Sequence, residues 1–171
     1  MQVHLRPLEE KDAPLMLEWM TDPSITEFFR FDASDIRIEN CLTFIEASKC
    51  SDTSFHFAIA DSQDTYLGTI SLKDIDYTER TAEYAVSTRK CAHGTGAALQ
   101  ATKQLLHFAF DELKLENVFL NVLTENVRAN SFYQKAGFQY VFTQEHALEK
   151  NGEWKSLNWY KIYPQDLYRK D

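Results

Sequence analysis

Residues 81–123 constrain the fold more than any other stretch of this chain. Thr81 to Thr88 alternates as a strand does, and Val118 to Leu123 is a second, more apolar run. Between them, Leu99, Thr102, Leu106, Ala109, Phe110 and Leu113 recur at helical spacing on one face. The turn that opens this helix is His93-Gly94-Thr95-Gly96-Ala97. A strand, a helix and a strand in this order imply a right-handed crossover that leaves the two strands parallel in one sheet.

The rest of the chain fills in around that unit. Phe55 to Ala60, Tyr66 to Leu72 and Thr81 to Thr88 are strand-like runs joined by short polar turns, the pattern of an antiparallel meander. Upstream, Val3 to Leu8 reads as a first strand. Asp12 then reads as the N-cap of a helix with Pro14 in its first turn, and Asp22-Pro23 ends it. Ser34 or Asp35 is placed to cap a second helix, whose stripe is Ile38, Cys41, Leu42 and Ile45. Downstream, a helix spans Val127 to Ala136. Runs from Gln139 to Leu148 and Trp154 to Ile162 flank Asn151-Gly152, a strong hairpin signal. The order β-α-α-β-β-β-α-β-α-β-β gives an α+β, or mixed α/β, class. At 171 residues, one domain over 1–171 is the simplest expectation.

Composition excludes several functions. Apolar runs are short and broken by charge, well under the ~20 residues a membrane helix needs. Met1 to Arg6 has no apolar signal core, so a cytoplasmic protein is expected, with no membrane partner. The formal net charge of −8 lacks the basic footprint of a nucleic-acid binder and suits a cationic small molecule or amine. Cys41, Cys50 and Cys91 have no paired spacing and no histidine cluster beside them, so neither a disulfide framework nor a metal site is expected.

Chemistry concentrates in two places. Gly94 and Gly96 let a ligand approach the backbone closely. The helix they open offers free N–H groups and the positive end of its dipole, an anion site if it is more than a plain turn. Arg89, Lys90 and His93 add positive charge there. The pattern is neither GxGxxG, since residue 99 is leucine, nor a P-loop. The second place is Asn126 to Phe138. Asn126 reads as a helix cap or as a ligand to an amide. Tyr133 shares a face with Ala129, Phe132 and Ala136, as a core residue or as an acid, and Gly137 stops the helix. Arg128 and Lys135 read as solvated charges. Glu27, Phe28, Phe29, Arg30 and Phe31 form an unusually aromatic loop that lines an acceptor site or anchors itself in the core. Trp154, Trp159 and Tyr160 read as core and sheet-face residues.

Together these stretches resemble the GNAT superfamily of acyl-CoA-dependent N-acyltransferases over essentially the whole chain. Tyr84 to Ala97 is similar to its cofactor motif, a strand followed by [RQ]-x-x-G-x-[GA], and Asn126 to Phe138 to its N-x-x-A-x-x-x-Y-x-K-x-G-F pattern. Leu5-Arg6-Pro7-Leu8 with Asp12, Asp22-Pro23 and the Asn151-Gly152 hairpin resemble the RimJ/RimL-type branch. Two departures stand out. Cys91 occupies the place of the usual arginine or glutamine, with Arg89 and Lys90 near enough to compensate. The aspartate common after the hairpin turn is absent around Ser156-Leu157.

The resemblance implies a mixed, mostly antiparallel sheet of about seven strands with about four helices. It implies acetyl-CoA as co-substrate, no metal, and direct acetyl transfer to a primary amine such as an amino sugar or polyamine. The backbone of Tyr84, Val86 and Thr88 would pair with the pantetheine arm, with an N–H near Val86 facing the oxyanion. Cys91, Ala92, His93, Gly94, Thr95, Gly96 and Ala97 would hold the pyrophosphate, and Asn126 and Tyr133 would flank the thioester. Glu83 would be the base and Tyr133 the general acid. The acceptor is expected to be a small-molecule amine, alternatively a protein N-terminus. A non-catalytic acyl-CoA-binding module is the rival class. Monomer and homodimer both fit.

Overall fold

The computed structural model describes residues 1–29 and 33–168. Seven strands form one sheet: β1 (Val3–Pro7), β2 (Phe55–Asp61), β3 (Tyr66–Asp76), β4 (Thr81–Thr88), β5 (Asn117–Leu123), β6 (Gln139–Lys150) and β7 (Glu153–Ile162). Their spatial order is β1-β2-β3-β4-β5-β7-β6. All neighbours are antiparallel except β4 and β5. The helices are α1 (Ala13–Met20), α2 (Pro23–Thr26), α3 (Ile38–Ser48), α4 (Ala97–His107), α5 (Val127–Lys135) and α6 (Pro164–Leu167). The meander, the parallel crossover and the final hairpin all stand as expected. Asn151 and Gly152 take positive φ of 54° and 78°, as a tight hairpin requires.

The sheet separates two apolar cores. Ala97, Ala101, Leu105 and Leu106 of α4 pack on Ile70, Leu72, Tyr84 and Leu120, with Ala129 and Tyr133 of α5 against the same cluster. On the other face, Met16 and Trp19 of α1 and Cys41 and Ile45 of α3 pack on Ala58 and Tyr66. That second core reaches only β2 and β3.

Four local expectations change. Asp12 does not cap α1. Its two oxygens receive Nη1 and Nη2 of Arg6 at 2.8 and 2.9 Å, and the Glu9 N–H at 2.9 Å. A buried carboxylate facing a planar guanidinium fork gains more from two charge-assisted bonds than from one cap. Neither Ser34 nor Asp35 caps α3. Arg37 stands at its N-cap, its N–H bonded to Asn40 Oδ1 at 2.8 Å. Asp22-Pro23 ends α1 but also opens α2, because Asp22 accepts from the Ser24 N–H at 3.0 Å. The long helix closes in a wide π-turn at Phe108–Glu112, where the Leu113 N–H reaches back to Phe108 O at 3.1 Å. That turn keeps Phe108 edge-on to Phe55 and Phe57 while Ala109 and Phe110 stay buried. Among the aromatics, Tyr160 is buried and Trp159 stacks on the sheet face, but Trp154 is exposed.

The sheet is split near its middle. The β4–β5 ladder has only three rungs, Thr81 with Asn117, Ala82 with Val118 and Glu83 with Phe119. Past the last rung the two strands no longer pair with each other, though β4 stays on β3 and β5 on β7, so the middle of the sheet opens.

Candidate active site

The opening between β4 and β5 is the floor of a cleft of about 630 Å³. Val86, Ser87 and Thr88 line one side, and Asn121, Val122 and Leu123 the other. Ala92, His93, Gly94 and Gly96 close one end, and Asn126, Arg128, Phe132 and Tyr133 of α5 overhang it. Ile25 of α2 and Phe28 and Phe29 of the aromatic loop also line the cleft. Arg30 and Phe31 lie outside the described residues. Strand edges that lack a partner expose backbone N–H and C=O groups able to pair with an extended amide-bearing chain.

The glycine turn leaves open space in front of α4. Gly94 and Gly96 have φ of 77° and 82°, and a side chain at either would project into open space. The dipole of α4 begins at that space. Thr95 is part of the frame: its Oγ1 donates to Ala92 O at 2.6 Å and accepts from the Ala97 N–H at 3.3 Å. Ala97 is wholly buried in the core, and Cys91 is exposed and does not line the cleft. The Gly96→Ala variant is expected to lose about 1–2 kcal/mol of stability from the left-handed backbone alone. Chemical denaturation checks this, and the stabilisation by added CoA should shrink as well, because the methyl group enters the anion's space.

Positive charge reaches the turn from a residue that sequence reasoning read as solvated. Arg128 donates from Nη1 to His93 Nδ1 at 2.9 Å. Burial lowers the His93 pKa, and the nearby Arg128 lowers it further, so the imidazole is neutral and accepts. Arg89 has partners of its own. It is spent on Glu18, at 2.7 and 3.2 Å, and on Tyr66 O at 3.0 Å.

α5 presents Tyr133 to the cleft. Asn126 caps the helix, its Oδ1 accepting from the Ala129 N–H at 3.2 Å. Asn130, which sequence reasoning passed over, ties that cap to the final hairpin. It donates to Leu123 O and Asn126 O at 3.1 and 2.8 Å, and accepts from Asn158 and Tyr160 at 2.9 and 2.8 Å. The Tyr133 ring packs edge-on to Tyr84 and Phe138, with centroids 5.9 and 6.0 Å away. Burial pushes its hydroxyl up to about 12. Tyr84 is a backing residue: its own hydroxyl bonds Thr102 Oγ1 at 2.6 Å.

Of the residues singled out from sequence, the cleft therefore gathers Val86, Thr88, Ala92, His93, Gly94, Gly96, Asn126 and Tyr133. Glu83, Tyr84, Cys91, Thr95 and Ala97 do not line it. Glu83 sits on the last paired rung, 4.0 Å from Lys73 Nζ. Gly68 was also overlooked. It lies in β3 opposite Thr88, and its lack of a side chain lets β4 approach closely. A glycine inside a strand is the signal that could have found it.

Comparison with known proteins agrees with this geometry. A family model described as an acetyltransferase (GNAT) domain matches residues 2–139. The spermidine N(1)-acetyltransferase of Escherichia coli K12 is 25% identical over 154 residues, 90% of this chain and 82% of that protein. The spermidine N(1)-acetyltransferase of Vibrio cholerae is 30% identical over 104 residues, 59% of this chain and 58% of that one. In three dimensions, the crystal structure of spermidine N-acetyltransferase from Vibrio cholerae with CoA and spermine superposes with a TM-score of 0.88. It covers 98% of this chain and 99% of that chain at 21% identity, which shows the shared fold. The family model spans most of the chain, and the chain belongs to the GNAT family of acetyltransferases.

Proposed function

We propose that this protein acetylates a primary amine of a small polycationic molecule, of the polyamine class, using acetyl-CoA. The observation that carries the reading is the cleft through the split sheet, with the glycine turn at one end and Tyr133 overhanging it. Acetyl-CoA supplies an activated acyl group on a thiol that leaves readily.

The residues divide the work. The unpaired edge of β4 at Val86 and Thr88 holds the amide-bearing arm by backbone bonds. The α4 N-terminus, with Gly94 and Gly96, takes the pyrophosphate, and Arg128 supplies the charge that Cys91 does not. A backbone N–H at Val86 faces the oxygen that gains negative charge as the amine adds. Tyr133 donates to the departing sulfur. Glu83 is outside the lining, so it receives the amine's proton through water rather than by contact.

Two features favour a small cationic acceptor. The relatives named above act on spermidine by name, and this chain carries a net charge of −8. In addition, Lys150 at the hairpin tip donates to Glu27 O, at 2.6 Å, and to Phe29 O. That tie draws the hairpin towards the loop carrying Phe28 and Phe29, and a folded protein terminus would have to displace it.

The test is thiol release from acetyl-CoA with spermidine, spermine, an amino sugar and N-terminal peptides, with products read by mass spectrometry. Acetylated polyamine as the dominant product is expected. Preferential acetylation of the peptides would overturn the acceptor class. Stabilisation by CoA without thiol release for any amine would overturn catalysis in favour of a binding module.

A further inference from the structure

We propose that Asn121 binds the acceptor amine. Its carboxamide oxygen takes a hydrogen bond from the attacking nitrogen and holds it across the thioester from Tyr133. This inference rests on the acetyl-transfer reading above.

Asn121 Oδ1 is sealed from solvent, and no donor among the described residues reaches it. Leaving a buried oxygen unpaired is costly, and such an oxygen in a native fold calls for a partner from outside the chain. Asn117 Oδ1 is in the same condition, but Asn117 lies on the first rung of the β4–β5 ladder and away from the cleft. Asn121 lies two residues beyond the last rung and lines the cleft.

Strand alternation says which ligand atom it meets. Leu120 and Val122 pack into the core that holds α4 and α5. Asn121 and Phe119 therefore project from the other face, where Phe119 stacks on Trp159 at 6.1 Å. Ala82 and Tyr84 belong to the same core, so Glu83 shares the face of Asn121. Tyr133 packs on the core side, among Tyr84, Phe138 and Tyr160. At an attacked carbonyl carbon, the nucleophile and the leaving group occupy different sides. With the sulfur at Tyr133, the nitrogen arrives on the face of Asn121. A neutral amide oxygen does not remove the amine's proton. It accepts one N–H, and so aims the nitrogen lone pair at the carbonyl carbon while Glu83 on the same face drains the proton. The rival donor, an amide of the pantetheine arm, follows the β4 edge, whereas Asn121 stands on β5.

Asn121→Leu keeps the volume and removes the hydrogen bond, and Asn121→Ala serves as a second variant should leucine pack poorly. With spermidine as the acceptor, kcat/KM for the amine should fall roughly tenfold or more. The CoA dissociation constant should be unchanged. The melting temperature should hold or rise, because an unpaired buried oxygen has gone. A wild-type kcat/KM in both variants overturns the assignment. A parallel loss of CoA affinity overturns it too, in favour of the pantetheine arm, and a lowered melting temperature with activity lost in proportion overturns it in favour of a structural role. Absence of thiol release by the wild type would instead overturn the acetyl-transfer reading itself, which separates the two failures.

Discussion

In the Tyr133→Phe variant, kcat is expected to fall by about 10²-fold while the CoA dissociation constant stays within about twofold of wild type. The ring contacts that position α5, to Tyr84, Phe138 and Tyr160, survive the change, because phenylalanine keeps the ring. Only the hydroxyl is lost, and no side-chain or backbone group among the described residues is bonded to it, so the fold loses little. The expected size sits at the low end of the ~10²–10⁴ range for positioned acids for a reason that the pKa gives. Burial holds Tyr133 at about 12, whereas a thiol such as that of CoA titrates near ~8.5. Full transfer of the phenolic proton to the thiolate is therefore uphill by roughly 5 kcal/mol. Tyr133 acts mainly as a hydrogen-bond donor to the developing negative sulfur. The same pKa predicts the pH profile. A group raised above its ordinary value stays protonated below it, so Tyr133 itself imposes no alkaline fall in kcat until pH approaches about 12. Steady-state kinetics against pH, with isothermal titration of CoA, checks both statements. Equal loss of turnover and CoA affinity, or loss of neither, would remove Tyr133 from the acid's role.

Much of this architecture was legible in the sequence because it depends on local signals. The crossover at 81–123 is written in a change of period from two to helical spacing. The final hairpin is written in Asn151-Gly152, and the start of α4 in two glycines. The site was legible in part for the same reason, since the glycine turn and Asn126 to Phe138 are contiguous motifs. What was not legible depends on pairs distant in the chain. Asp12 looks like a cap until Arg6 is seen to grip it. Arg128 is exposed, as its sequence suggests, but only the fold brings it to His93, 35 residues away, which accepts from it. Arg89 looks available for phosphate until Glu18, 71 residues away, claims it. Asn121 has no motif at all. Its meaning comes from where the β4–β5 ladder stops, which is set by how the two strands diverge.

Gly68 tests the claim that the shape of that divergence is itself the binding determinant. Its backbone is not in the left-handed region, so the reason for glycine is space. An added Cβ would lie 2.5 Å from Ser87 O and 2.8 Å from Thr88 Cα, both backbone atoms that cannot swing aside. Ser87 and Thr88 also line the cleft, so relief of the clash must move the β4 edge into or away from it. The Gly68→Ala variant should thus lose about 3 kcal/mol, the upper end of the usual overpacking range. For a chain of this size that is a fall in melting temperature of roughly 6–12 °C. Stabilisation by CoA should be lost as well, although Gly68 is not among the residues that line the cleft. Replacement of Gly152 provides the contrast. Nothing lies within 4 Å of a Cβ there, so its cost is confined to the strained hairpin turn and CoA binding is retained. Thermal unfolding of both variants, with and without CoA, separates the two. If Gly68→Ala melted and bound CoA like the wild type, the tight approach of β3 to β4 would not be what shapes the cleft.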